Sequence, residues 1–102
     1  MESTVQQNLD GIVRLCRQHK VRRLAVFGSA ARAGFDPQRS DIDFLVKFEP
    51  IPVAERMRNL NALRGDLTAL LDHTVDLVEE GAIRNPYILQ SVVEQQQVLY
   101  AA

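Results

Sequence analysis

With 102 residues, 46 % of them hydrophobic and 25 % charged, the chain is expected to be one domain (1–102) that needs neither disulfides nor a structural metal to fold. A formal net charge of −1 argues against broad attachment to nucleic acid, which needs clustered cations. A single cysteine excludes an internal disulfide and supports no zinc site. No signal-like N-terminal run and no apolar stretch of about 18 residues appear, so a reducing cytoplasm is the expected setting.

Ser3-Thr4-Val5-Gln6 reads as a capping box, and Val5, Leu9, Ile12, Val13 and Cys16 then recur at helical spacing to about Gln18. Cys16 falls on that apolar stripe, which predicts a buried, inert thiol. Val21–Phe27 follows as a strand; its centre, "LAVF", is apolar throughout, as suits a strand covered on both faces. Gly28 ends it, and Ser29–Ala33 permits a short helical turn before a loop rich in turn formers (Gly34, Asp36, Pro37, Ser40).

Residues 41–48 alternate most clearly. Ile42, Phe44, Val46 and Phe48 point one way; Asp41, Asp43, Leu45 and Lys47 point the other. Pro50 and Pro52 break this strand and lead into a long helix with Met57, Leu60, Leu63, Leu67, Leu70 and Leu71 as its stripe. Gly65 interrupts that helix at a cost of about 1 kcal/mol relative to alanine.

A third strand, Thr74–Glu79, comes after His73. Asn85-Pro86 reads as an N-cap followed by proline at the first helical position. Ile88, Leu89, Val92 and Val93 are the expected buried face of that last helix. "VLY" at Val98–Tyr100 suits either a final strand or more helix. The order implies an α/β (α+β) fold, a small mixed β-sheet flanked by helices.

The chemistry concentrates in "FGSAARAGFDPQRSDIDFLV", Phe27–Val46. Asp41 and Asp43, two apart on a strand, share a face with Cα atoms ~6–7 Å apart, and like charges so close repel. Lys47 on that face is ~13 Å from Asp43 at strand rise, too far to offset the repulsion. A hard divalent cation does so better, and Mg²⁺ takes a few carboxylate oxygens together with phosphate oxygens.

Asp76, between Val75 and Leu77, is a third carboxylate in an awkward place for a charge. If its strand lies beside the second, the three carboxylates form a cluster able to hold two metals ~3.5–4 Å apart for phosphoryl transfer. Gly28 allows close approach of backbone to a ligand. Ser29 and Arg32 supply a hydroxyl and a guanidinium from the same turn. Each feature alone is commonplace; their combination in strand–turn–strand order points to metal-dependent nucleotide chemistry.

The same stretch resembles the G-S-x-A-R-G…S-D-I-D signature of the DNA polymerase beta-like nucleotidyltransferase superfamily, and the short chain resembles its minimal nucleotidyltransferase (MNT) branch. The resemblance extends to "VDLV" and follows the element order of most of the chain. It implies the palm fold of that superfamily, with Gly28 and Ser29 on the nucleotide phosphates and Arg32 as the motif arginine. It further implies Asp41 and Asp43 as the metal pair, and Asp76 as the third metal-site carboxylate and base for the incoming hydroxyl.

For MNT proteins the implied reaction is Mg²⁺-dependent transfer of AMP from ATP to a tyrosine of a partner HEPN toxin, an antitoxin activity. Two departures stand out. Ala33 occupies a position often held by glycine, with Gly34 one step later, and eleven residues separate Ser29 from Asp41 where ten is commoner. A binding-only antitoxin and transfer to a small molecule are the alternatives. The implied partners are the toxin, a nucleoside triphosphate, and a second copy or hetero-oligomer. No membrane is implied, and nothing basic and aromatic suggests nucleic acid.

His19 and His73 are expected on the surface or as charges at a helix C-terminus; Arg22-Arg23 are expected to be solvated, with contact to nucleotide or partner as the alternative, and Arg56 and Arg58 are expected to be exposed. Tyr87 and Tyr100 are expected to pack on the sheet, with a partner-facing patch as the alternative.

Overall fold

The computed structural model describes residues 3–31 and 41–102, with Ser29 and Ala30 described by backbone alone. The strands are β1 (Val21–Phe27), β2 (Ile42–Phe48), β3 (Val75–Glu79) and β4 (Gln97–Ala101). The helices are α1 (Ser3–Gln7), α2 (Leu9–Gln18), α3 (Val53–Leu71) and α4 (Pro86–Gln95). They build the expected α/β arrangement, a mixed sheet in the order β3-β2-β1-β4. Here β1 runs antiparallel to β2 and β4, whereas β2 and β3 are parallel. Parallel neighbours need a long crossover, and α3 provides it. The Val98–Tyr100 segment, open to two readings in the sequence, is strand.

Alternation along β2 decides where the core sits. Ile42, Phe44, Val46 and Phe48 bury against Ile12 and Cys16 of α2 and Leu63, Leu67 and Leu71 of α3. Burying each such aliphatic or aromatic side chain contributes about 1.5–3 kcal/mol. The helices approach closely at Gly11, where a Cβ would lie 3.0 Å from both methyls of Leu70.

Leu45, which alternation places on the carboxylate face, is also buried, beside its cross-strand partner Ala25. That face is therefore apolar in its middle and charged only at its ends, Asp43 and Lys47.

Several expectations are corrected. The first helix is two helices broken at Asn8, whose Nδ2 donates to the Thr4 carbonyl at 2.7 Å while its backbone N–H donates to Val5 at 3.2 Å. An asparagine side chain competes in this way with the helical ladder. Met57 is 44 % exposed, because the α3 stripe meets the core only from Leu60 onward.

The Asn85 cap forms as expected, its Oδ1 accepting from the N–H groups of Tyr87 and Ile88. Yet α4 has no buried residue. Ile88 and Val93 are exposed, Leu89 and Val92 only half-buried. Tyr87 is 82 % exposed, whereas Tyr100 packs on the core. Helical spacing shows which side chains share a face, not whether anything opposes it.

His19 is buried at the C-terminus of α2 rather than lying on the surface. Its Nε2 is 2.7 Å from Asp66 Oδ2 and its Nδ1 3.3 Å from Asn59 Oδ1, which ties the α2–β1 corner to α3. Arg56 is half-buried, with Nε 3.1 Å from Glu79 Oε2 in an ion pair whose N–H is not aimed for a hydrogen bond. Arg23 is partly buried near Glu80 and His73 is half-buried, while Arg22 and Arg58 are exposed as expected. Among the described residues no helix is long and apolar enough to cross a membrane.

Candidate active site

The parallel pairing of β2 and β3 sets Ile42 opposite Val75, Asp43 opposite Asp76 and Phe44 opposite Leu77. The strands bearing the carboxylates are therefore neighbours in a register that aligns the two aspartates. Asp41, exposed, lies one residue before β2. All three carboxylates share one end of the sheet, where β1 finishes and β2 and β3 begin.

Electrostatics mark that end. Asp43 is half-buried, and its carboxyl titrates above the usual aspartate range. Burial is the largest cause; the negative charges of Asp76 and then Asp41 add to it. No lysine or arginine among the described residues forms an ion pair with any of the three. Lys47 is exposed further along β2. Carboxylates gathered in this way suit a site completed by a cation.

Gly28 closes the site from the β1 side. Its φ is +68°, and a Cβ built on it would lie 2.8 Å from Asp43 Oδ2. Here glycine supplies both the left-handed backbone and the missing side chain. Phe27 pairs with Asp43 across the antiparallel ladder, so β1 delivers the Gly28–Ala31 turn to the carboxylate. That turn is 3₁₀ helix over its described residues, Gly28–Ala31; the Arg32–Ala33 end of the expected Ser29–Ala33 turn lies outside them. Ser29 belongs to it by backbone. The Ser29 side chain, Arg32, Ala33 and the loop to Ser40 lie outside the described residues.

Among the described residues no three histidine, cysteine, aspartate or glutamate side chains converge as a ready-made metal cage. Mg²⁺ does not require one: it is held by one or two carboxylates, substrate phosphates and water. The donors present, Asp43 and Asp76 with Asp41 adjoining, fit that mode, and the missing side chain at Gly28 lets the Asp43 carboxylate sit directly against the turn.

A cleft of about 560 Å³ lies elsewhere, lined by residues that include Lys47, Ile51, Arg56, Glu79 and Leu89. It contains none of the three aspartates. Concavity alone would select it, but aligned like charges whose proximity raises the Asp43 pKa, beside a glycine in the left-handed region, are the stronger signs of phosphate and metal chemistry. One contact at the site carries no signal in the sequence: Gln97 Nε2 donates to the Ala31 carbonyl at 3.2 Å across 66 positions.

Residues 11–99 match the family model of the nucleotidyltransferase domain. The chain belongs to that family. It is 41 % identical over 80 residues to a Methanocaldococcus jannaschii protein bearing the provisional name protein adenylyltransferase MJ0128, with 78 % of each chain covered. A second protein of that organism, MJ0126, carries the same provisional name and is 38 % identical over 81 residues, again with 78 % of each covered.

A solved structure described as a minimal nucleotidyltransferase superposes with TM-score 0.71 at 31 % identity, covering 95 % of both chains. A toxin–antitoxin structure with AMP-PNP gives 0.70 at 28 %, covering 93 % of this chain and 74 % of that one. A chain of the complex between tri-AMPylated Shewanella oneidensis HEPN toxin and its MNT antitoxin gives 0.61 at 26 %, covering 95 % and 72 %. The protein is thus a nucleotidyltransferase with the fold of the minimal enzymes.

Proposed function

We propose that this nucleotidyltransferase transfers AMP from ATP to a tyrosine hydroxyl of a HEPN-type partner protein and thereby acts as its antitoxin. The observation that carries the reading is the alignment of Asp43 with Asp76 beside Gly28, whose missing side chain lets the turn meet the carboxylate. The toxin–antitoxin structures with AMP-PNP and with AMPylated HEPN toxin support the nucleotide and the partner.

In this reading Asp41 and Asp43, with Asp76, hold Mg²⁺. When bound, the metal neutralises the triphosphate and the charge that develops as pyrophosphate departs. The Gly28–Ser29 backbone seats the phosphates, and Arg32 adds a cationic contact. Asp76 receives the proton of the acceptor hydroxyl. The hydroxyl oxygen forms its bond to the α-phosphorus as the bond from that phosphorus to the bridging oxygen breaks, and pyrophosphate carries that oxygen away. Asp43, drier than its neighbours, stays beside the phosphates rather than the acceptor.

The test is incubation of the purified chain with ATP labelled at the α-phosphate and Mg²⁺, with and without the product of the neighbouring gene. Label on a tyrosine of that partner, lost in Asp43→Asn, is expected. A tight complex that blocks the partner without any label would replace transfer by occlusion. Label on a small molecule alone would move the acceptor.

A further inference from the structure

We infer that Gln97 is a positioning residue for nucleotide binding, fixing the C-terminal end of the Gly28–Ala31 turn. The inference rests on the proposed seating of the triphosphate on that turn.

Ala31 is the last described residue of the turn. A buried carbonyl there needs a hydrogen-bond donor. Ala31 is 6 % exposed, so water is a poor substitute. Gln97 supplies the bond, its Nε2 lying 3.2 Å from the Ala31 oxygen. A carbonyl only accepts, so the amide nitrogen must be the atom that faces it.

The placement of Gln97 follows from the sheet. It is the first residue of β4 and pairs with Val26 on β1, two residues before Gly28. The strand that leads into the turn therefore also holds, by its other edge, the residue that closes the turn. α4 packs against the same turn from the preceding segment.

The turn is thus fixed at both ends. At Gly28 the backbone is held left-handed against Asp43; at Ala31 it is held by Gln97. Releasing the Ala31 end leaves the sheet intact, since β4 keeps its backbone pairing, but loosens the peptide groups between the two anchors. A ligand seated there would then have to order them on binding, and affinity falls.

The experiment is a titration of the full chain with ATP and Mg²⁺, comparing wild type with Gln97→Met and Gln97→Glu, neither of which can donate at neutral pH. Losing one hydrogen bond at a ligand-supporting position should raise the Kd for ATP about two- to tenfold. Binding stoichiometry and melting temperature should stay as in wild type. Gln95→Met, whose native side chain bonds Ser91 on α4, should leave Kd unchanged.

In a transfer assay the same variants should raise KM for ATP with kcat retained. A merely structural role would instead lower stoichiometry and melting temperature and leave Kd alone, which would overturn the inference. Wild-type affinity in both Gln97 variants would overturn it while the nucleotidyltransferase reading stands. Failure of the wild type itself to bind ATP would remove both.

Discussion

The Asp43 carboxylate occupies the space that a side chain on residue 28 would need: Oδ2 lies 2.8 Å from the position of a Cβ built on Gly28, whose φ is +68°. No L-residue sits there without both backbone strain and displacement of the carboxylate. A left-handed conformation costs a residue with a Cβ about 1–2 kcal/mol. Gly28→Ala should therefore lower stability by about that amount. It should also reduce nucleotide affinity by more than the stability change explains, because Asp43 must move. Urea unfolding and ATP titration on one sample separate the two effects.

Removing the charge of Asp43 has the opposite sign for stability. Its folded carboxyl titrates above the ordinary aspartate value, through burial first and then the charges of Asp76 and Asp41. The native state therefore holds the proton more tightly than the unfolded state. Its favourable contribution is complete below the unfolded pKa and is lost as pH rises through the folded one. At neutral pH without metal, Asp43→Asn should melt higher than wild type, and the gap should close towards about pH 3. With ATP and Mg²⁺ present the wild type should gain melting temperature while the variant does not. A variant less stable than wild type at neutral pH in EDTA would contradict the electrostatic account.

Asp43 stood out in the sequence because a charge at a strand position contradicts burial, and it is the half-buried one of the three, Asp41 and Asp76 being exposed. Asp76 could be read the same way, but its placement beside Asp43 depends on β2–β3 register, which only α3 and the packing beneath it fix. Gly28 was legible as a turn; its second task, leaving room for the Asp43 carboxylate, was not. The α4 face misled because Ile88 and Val93 repeat at helical spacing yet stay exposed among the described residues. His19 and Gln97 were opaque for another reason. Their partners, Asp66 and Ala31, stand 47 and 66 positions away, and no local pattern encodes a contact at such range.

Gly65 offers a stabilising change. It lies in α3 on the exposed side, and a Cβ there would meet nothing within 4 Å. Glycine inside a helix costs about 1 kcal/mol relative to alanine through the freedom it has in the unfolded chain. Gly65→Ala should raise the urea midpoint by the equivalent of about 0.5–1 kcal/mol with an unchanged m-value. ATP affinity should not move, since the site lies at the end of the sheet formed by β1, β2 and β3.

His19 should matter for stability and not for the nucleotide. It is buried at the start of β1, with Asn59 Oδ1 and Asp66 Oδ2 at its two ring nitrogens, whereas Gly28 follows the far end of that strand. Asp66 is 46 % exposed, so water softens the loss of its share. Asn59 is less forgiving. Its Nδ2 donates to the Glu55 carbonyl at 3.1 Å, which keeps Oδ1 turned towards the ring. His19→Ala should cost about 1–3 kcal/mol, through the lost hydrogen bonds of a buried side chain and a half-buried Asn59 left without its partner. Urea unfolding reads that loss; an unchanged Kd for ATP would confirm that the corner acts on the fold alone.

Cys16 tests the depth of the α2–α3 core. It is fully buried, and burial pushes its thiol up to about 12. Only the thiolate alkylates readily, so iodoacetamide at about pH 8.5, near the ordinary cysteine value, should label the folded chain slowly and the urea-unfolded chain quickly. The linkage has a definite sign. Because the folded value is raised, the thiol's contribution is intact below the unfolded pKa and is lost as pH climbs through the interval up to the folded one. Cys16→Ala removes that dependence, so the stability difference between wild type and variant should narrow, in the variant's favour, as pH rises above about 9. Rapid labelling of the folded wild type would mean that α2 opens locally without global unfolding, and comparison with amide exchange at Ile12 and Leu67 would show how much of the core opens with it.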